Sequence, residues 1–317
     1  DGTTDDTANI QASLDLVDAL DGGGTVWFPP GVYVITDTLD LGANTTLILA
    51  NGAVIQAGAT ITDAMIKTSL TTLMTDRVAV QGGVIDCNEL ADIGIQLSYF
   101  IGVTIRDTIV MNFNVDGYLM GAPAATDKSY EAKLYNIHTW RPASSSTPAD
   151  SRCLAFDNCS DSIVQGAILN GGFLGLTTEF GGHLFTSVHV WNFDASGRPD
   201  TCFYDNGGNN SYVSCYADGP DNYGWAIAKD GVSILGGLAL RSTGASDNGG
   251  YAIANSSSGN VPTRITVVGL RIDANASHRW AGDFLNNDTV LTMHGVQCHN
   301  VVATHGDQGY QDLAVRS

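Results

Sequence analysis

The chain has 317 residues, 44% of them hydrophobic and 15% charged, which is enough apolar material for a large core in one or two domains. Fourteen Lys and Arg against 33 Asp and Glu give a formal net charge of -19, a field that repels phosphate backbones and anionic headgroups, so neither nucleic acid nor membrane insertion is expected. No apolar run reaches the ~20 residues of a spanning helix, and the opening DGTTDDTAN lacks the basic and apolar regions of a signal peptide.

From the N-terminus, DDTANIQASLDLVDAL places Ile10, Leu14, Val17 and Leu20 at helical spacing behind Asp5 and Asp6, both suited to N-capping. A capping helix within residues 1–21 is predicted, with GGGTVWFPPGVYVI (22–35) opening the sheet. Short β-branched runs then recur: RVAVQGGVIDCN, GVTIRDTIVMNF, AKLYNIHTWRP, SIVQGAILNGG, LFTSVHVWNF, YVSCYADG, VSILGGLALRS, RITVVGLRIDAN and LTMHGVQCHN. One column through Val84, Ile109, His138, Ile168, His189, Ala217, Ala239, Arg271 and Gln297 steps by 25, 29, 30, 21, 28, 22, 32 and 26 residues. A second short strand follows each run, as in GIQL, DGYLM, CLAFDN, FLGLTTEF, TCFYDN, GWAIAKD and YAIAN. Two or three short strands per irregular repeat, with no helix, describe one rung of a parallel β-helix, and the expected domain is a single solenoid over 1–317 with rungs from 22 onward. Cys87, Cys153, Cys159, Cys202, Cys215 and Cys298 are scattered without a CxxC and read as small buried hydrophobes.

The stretches DGTTDDTANIQASLD and GGGTVWFPPGVYVI resemble the opening of pectate-lyase-superfamily right-handed β-helices, as found in phage tailspikes and polysaccharide-degrading enzymes. The resemblance is specific over about the first fifty residues and continues as a rung pattern. It implies a right-handed parallel β-helix acting on polysaccharide, extracellular or carried on a virion tail, and a homotrimer. Polygalacturonase-type hydrolases carry Asn-x-Asp, Asp-Asp, Gly-His-Gly and Arg-x-Lys on successive rungs; here only Asn114-Val115-Asp116 echoes the first. No pectate-lyase calcium cluster, no epimerase DPHE and no spacing for metal ligands is present, so no cofactor is expected.

Two columns carry candidate chemistry. His138 with Trp140 and His189 with Trp191 fall on one outward face, two rungs and ~10 Å apart, where indoles suit stacking on sugar rings and imidazoles suit bonding hydroxyls. Packing under a loop or in a subunit interface is the competing reading. Asp157, Glu179, Asp205 and Asp230 recur at steps of 22, 26 and 25 residues near the end of the second short strand. Stacked on consecutive rungs, like charges would raise one pKa and supply the acid of a glycosidase pair. Turn residues bonding their own backbone explain Asp157 and Asp205 equally well. A second acidic row is Asp116, Asp150, Asp200 and Asp221; Lys229, Arg152 and His183 are candidates for binding an anionic sugar or for a lyase base.

The sequence therefore points to a polysaccharide depolymerase, with hydrolysis preferred and Glu179, Asp157, Asp205 and Asp230 as its acids. Trp140, Trp191, His138, His189 and Lys229 are its substrate-binding residues. A polysaccharide lyase and a glycan-binding or structural spike without catalysis are the alternatives.

Overall fold

The computed structural model describes residues 2–68, 77–121, 128–141, 148, 150–191, 199–240, 251–255, 264–273, 283–284 and 290–299. Each rung contributes three short strands, and each strand pairs in parallel with its counterpart one rung on. The first sheet begins with Gly24–Phe28, the second with Gly31–Ile35 and the third with Leu39–Leu41. Among the described residues they contain 11, 11 and 10 strands. Parallel strands joined this way cross over right-handed, and the molecule is a right-handed parallel β-helix with one N-terminal helix.

One corner of the rung sets its geometry. From residue 82 onward, two residues join the first-sheet strand to the second-sheet strand, and the first of them is left-handed. Gly82, Asp107, Asn136, Gly166, Ser187, Ser214, Gly236, Gly269 and Gly295 occupy this position, with φ between 51 and 73°. Gly, Asn and Asp tolerate that conformation with least penalty. The ladder continues through the bend: the Asp107 N–H donates to the Tyr135 carbonyl at 3.0 Å, Asn136 to Gln165 at 2.8 Å and Ser187 to Val213 at 2.9 Å. Asn136 Nδ2 also donates to Asp107 Oδ1 at 2.9 Å, tying neighbouring corners together.

The second residue after each corner residue opens the second-sheet column. It runs Val84, Ile109, His138, Ile168, His189, Tyr216, Leu238, Arg271, Gln297. The sequence-derived column is correct except that Tyr216 and Leu238 replace Ala217 and Ala239, which are fully buried. A one-residue slip in a strand turns a side chain to the opposite face, and Ala217 and Ala239 accordingly point into the core. Val80, Ile105, Leu134, Val164, Phe185 and Tyr212 line the first sheet's inner face in register, all without solvent exposure. The third sheet adds Tyr118, Leu154, Leu176, Phe203 and Trp225, with the last two rings stacked at 4.8 Å. Cys87, Cys153, Cys159, Cys202 and Cys215 are buried in this core, and burial pushes the thiols of Cys153, Cys159 and Cys215 up to about 12. The Cys298 side chain lies outside the described residues.

The helix spans Thr7–Asp18 and lays Ile10 and Leu14 on the open end of the solenoid. Asp6 stands at the cap position without a side-chain bond. Asp5 does that work: its Oδ1 accepts the Thr7 N–H at 2.9 Å and its Oδ2 accepts the Thr36 hydroxyl at 2.7 Å, tying the helix to the first rung. Capping of the exposed strand edges is what a solenoid end requires.

Strands of the second and third sheets meet most closely at glycine. A Cβ on Gly175 would overlap the Val190 Cγ1 methyl and the Cys202 carbonyl. Gly175→Ala is expected to lower stability by about 1–3 kcal/mol, the usual cost of overpacking; a urea midpoint equal to that of the parent chain would contradict the packing described.

Candidate active site

The acid row does not form as its spacing predicts. In the third sheet Phe156, Thr178, Asp205 and Ile227 are in register. Asp157 and Glu179 are therefore neighbours, Asn206 takes the third place, and Asp230 lies two residues past the fourth. Asp205 is one residue out of step and faces inward with no exposure. There it accepts bonds from the Gly207 and Gly208 N–H groups, Asn210 Nδ2, the Tyr212 hydroxyl at 2.9 Å and the Thr178 hydroxyl at 3.3 Å. Burial first, and then the Asp205 charge, push the Tyr212 hydroxyl well above its ordinary range. Five donors satisfy a carboxylate that no substrate can reach, so Asp205 is a structural acid.

Asp230 is committed elsewhere. Arg264 grips it through Nε at 3.0 Å and Nη2 at 2.7 Å, and these hydrogen bonds hold its pKa down to about 2. An acid that strong is not a proton donor at ordinary pH. The second acidic row also separates: Asp116 aligns with Arg152, Thr201 and Tyr223, while Asp200 precedes that column by one residue and Asp150 and Asp221 by two.

What remains is a polar face on the third sheet. Arg152 lies between two buried carboxylates, donating to Asp116 through Nε at 2.7 Å and Nη2 at 2.8 Å, and to Asp157 through Nη1 at 2.9 Å. Asp116 is 1% exposed and Asp157 6%. Burial pushes the Asp116 carboxyl up while Arg152 pulls it back. Burial also works against the Arg152 charge, but its bonds to Asp116 and Asp157 hold it protonated. One rung on, Glu179 is exposed and accepts a hydrogen bond from Asn206 Nδ2 at 2.6 Å. Half-buried Tyr204 stands close by, its hydroxyl pushed up by burial and by the Glu179 charge. Thr177 alternates with the inward Leu176 and Thr178, so it shares the outward face with Glu179; it is 2% exposed, and its hydroxyl has no hydrogen-bond partner among the described residues. Lys229 is exposed just beyond the strand Tyr223–Ile227.

The second sheet holds the other predicted residues. His138 and His189 are two rungs apart as expected, with Ile168 between them. Trp140 and Trp191 are half-buried at the matching positions. The His189 ring is stacked on both sides, against Tyr216 at 4.3 Å and Trp191 at 5.8 Å, which leaves only its edge for a ligand. Its Nε2 lies 3.6 Å from Asp218 Oδ2. Burial lowers the pKa of His138. No group of three or more His, Cys, Asp or Glu is placed to hold a metal ion among the described residues.

Residues 1–128 match the family model described as rhamnogalacturonase A/epimerase, pectate lyase-like. Among solved structures the chain is similar to the A-module of the Azotobacter vinelandii mannuronan C-5 epimerase AlgE6, at 15% identity and TM-score 0.61 over 97% of each chain. It is also similar to PfbA, a surface adhesin of Streptococcus pneumoniae, at 14% identity and TM-score 0.60 over 94% of this chain and 75% of that one. A tailspike of an Acinetobacter phage aligns with 100% of this chain and 64% of its own, at 10% identity and TM-score 0.59. Identities this low speak for the fold alone. No curated protein matches the sequence.

Spacing alone had missed Thr177, Tyr204 and Asn206, and had given Arg152 and Asp116 secondary places. The signals for Asp116 were its position in Asn114-Val115-Asp116 and its place in the second acidic row.

His183 is not a reachable base. It is 2% exposed, packed between the Phe156 ring at 4.6 Å and the Phe185 ring at 5.6 Å, with Nδ1 accepting the Ser162 N–H at 3.2 Å. Burial lowers its pKa from 6.5 to about 4. The unfolded chain therefore takes up this proton first on acidification, and stability present above pH 6.5 falls away as pH drops towards about 4. The shift corresponds to about 3 kcal/mol. His183→Phe is expected to remove that part of the pH dependence, read as the difference in urea stability between pH 7 and pH 4; an unchanged difference would show that the imidazole is not buried neutral.

Proposed function

We propose that this protein is a polysaccharide depolymerase that hydrolyses glycosidic bonds on the outward face of its third sheet. The observation that carries the reading is the pair Asp157 and Glu179 on adjacent rungs. Strands repeat every ~4.8 Å, close to the ~5–5.5 Å between the carboxyls of a retaining glycosidase. Glu179, the exposed member, is the general acid and base. Asp157, gripped by Arg152, supplies negative charge against the developing oxocarbenium ion while Glu179 protonates the leaving oxygen and then takes the proton of the water that bonds the anomeric carbon. Half-buried Tyr204 is placed to receive a substrate hydroxyl. Asp205 and Asp230 have no part in this assignment.

The family description and the likeness to polysaccharide-modifying and surface proteins support the substrate class and an extracellular or virion-borne setting. A homotrimer belongs to the same reading through the tailspike likeness. The pectate lyase-like character of the matching family favours a second reading, proton abstraction from a uronate followed by elimination. Lys229 is the exposed basic residue beside the face that such a lyase would use.

Incubation with a panel of bacterial surface polysaccharides, followed by size exclusion and ultraviolet absorbance, separates these readings. Hydrolysis gives shortened chains without the absorbance of an unsaturated end. Glu179→Gln is expected to reduce the rate at least ~100-fold, the lower range for loss of a general acid, with an unchanged Tm. Full activity in that variant, or an absorbing product, rejects the hydrolytic assignment.

A further inference from the structure

The second sheet contains a buried side-chain amide with no hydrogen-bond partner among the described residues. Asn170 follows the strand Ile168–Leu169, and the registers of Ile168 with His138 and His189 place it level with Trp140 on one rung and Trp191 on the next. Its backbone N–H donates to the Thr139 hydroxyl at 2.8 Å. Its side chain is different: Asn170 is 1% exposed, yet neither Oδ1 nor Nδ2 has a hydrogen-bond partner among the described residues. Burying an amide unpaired is costly, and an apolar residue of the same shape would avoid the cost. A purely structural position at this point favours Leu.

The surroundings specify what would pair with it. Trp140 and Trp191 stand about 10 Å apart on either side, and the parallel stack of Trp191, His189 and Tyr216 holds the second of them in place. An amide offers an acceptor and two donors in one plane, which matches two neighbouring hydroxyls of a pyranose. Indoles beside it supply the apolar surface that the ring C–H groups require. Asp218 borders the stack and the chain carries a net charge of -19, conditions that favour an uncharged sugar over a uronate. A second copy would bring the same negative field to this face.

The geometry points to a glycan-holding site on the second sheet, separate from the cleavage face, in which a neutral pyranose pairs with the Asn170 amide between Trp140 and Trp191. Because Asn170 is 1% exposed, a side chain at that surface must turn aside to admit the sugar. This inference rests on the saccharide class proposed above, but not on its cleavage chemistry. Such a site keeps a long chain on the protein while the third sheet works on it.

The test uses the full chain carrying Glu179→Gln, so that bound polysaccharide survives, on an array of bacterial capsular and O-antigen polysaccharides. Retention of neutral polymers is expected, falling at least tenfold when Asn170→Leu or Trp140→Ala is added, while the Asn170→Leu Tm stays level or rises. Thr177→Val, on the cleavage face, is expected to spare most of that retention. Retention unaffected by Trp140→Ala and Asn170→Leu but lost in Thr177→Val overturns the second-sheet site and leaves the cleavage reading standing. No retention of any polymer overturns it as well. If Asn170→Leu lowers the Tm, the amide is a structural group and the site is overturned.

Discussion

Everything in the molecule is referred to a corner two residues long. At each corner from residue 82 to residue 269, a left-handed residue turns the chain from the first sheet into the second while its N–H still bonds the rung beyond. The bend therefore costs no ladder hydrogen bond, and it fixes phase. The next residue points inward, the one after it outward, and the alternation runs on through the second-sheet strand. Thr108, Ile137, Ala167 and Val188 are all buried immediately after a corner, whereas Ile109, His138, Ile168 and His189 form the outward column. Both the aromatic row and the Asn170 amide inherit their positions from this single constraint.

The same constraint explains what could be read from the sequence. Glycines at 82, 269 and 295 mark the corner openly, and the columns counted from them were right. Ser214 takes the left-handed conformation with no cue in its residue type, and Gly236-Gly237 gives two choices for one corner. These are the two rungs where Ala217 and Ala239 had been set in the outward column. In the third sheet the distance from the corner is not constant. Four residues (112–115) separate its strand from the second sheet on one rung and eleven (141–151) on the next. Without a fixed offset, Phe-Asp-Asn at 156 and Tyr-Asp-Asn at 204 look alike, yet Asp205 ends a strand whose register places it with Thr178, and Asp157 lies just past its own. Glu179, Asp157 and Arg152 were visible in the sequence; their partners Asn206, Tyr204 and Asp116 were not assigned to them.

That difference separates two kinds of buried acid. Asp205 meets five neutral donors and stays in the core, where it satisfies the turn that leaves the third sheet. Asp116 and Asp157 meet a cation that is itself 20% exposed, so their charge is shared with the surface. A polar network closed on itself serves folding, and one that opens on a face beside an exposed Glu179 is able to serve chemistry.

The unequal connections between the second and third sheets have a consequence for how such a protein diversifies. They close with four residues at 112–115, 170–173 and 219–222, but with ten or eleven at 141–151, 191–200 and 241–250. Since phase is reset at the opposite corner of every rung, a segment gained or lost here is absorbed locally and leaves the next rung's register untouched. Length differences between rungs fall outside that corner, here and in the connections from the third sheet back to the first. Rung length is therefore free to vary without any change in the columns that the corners set.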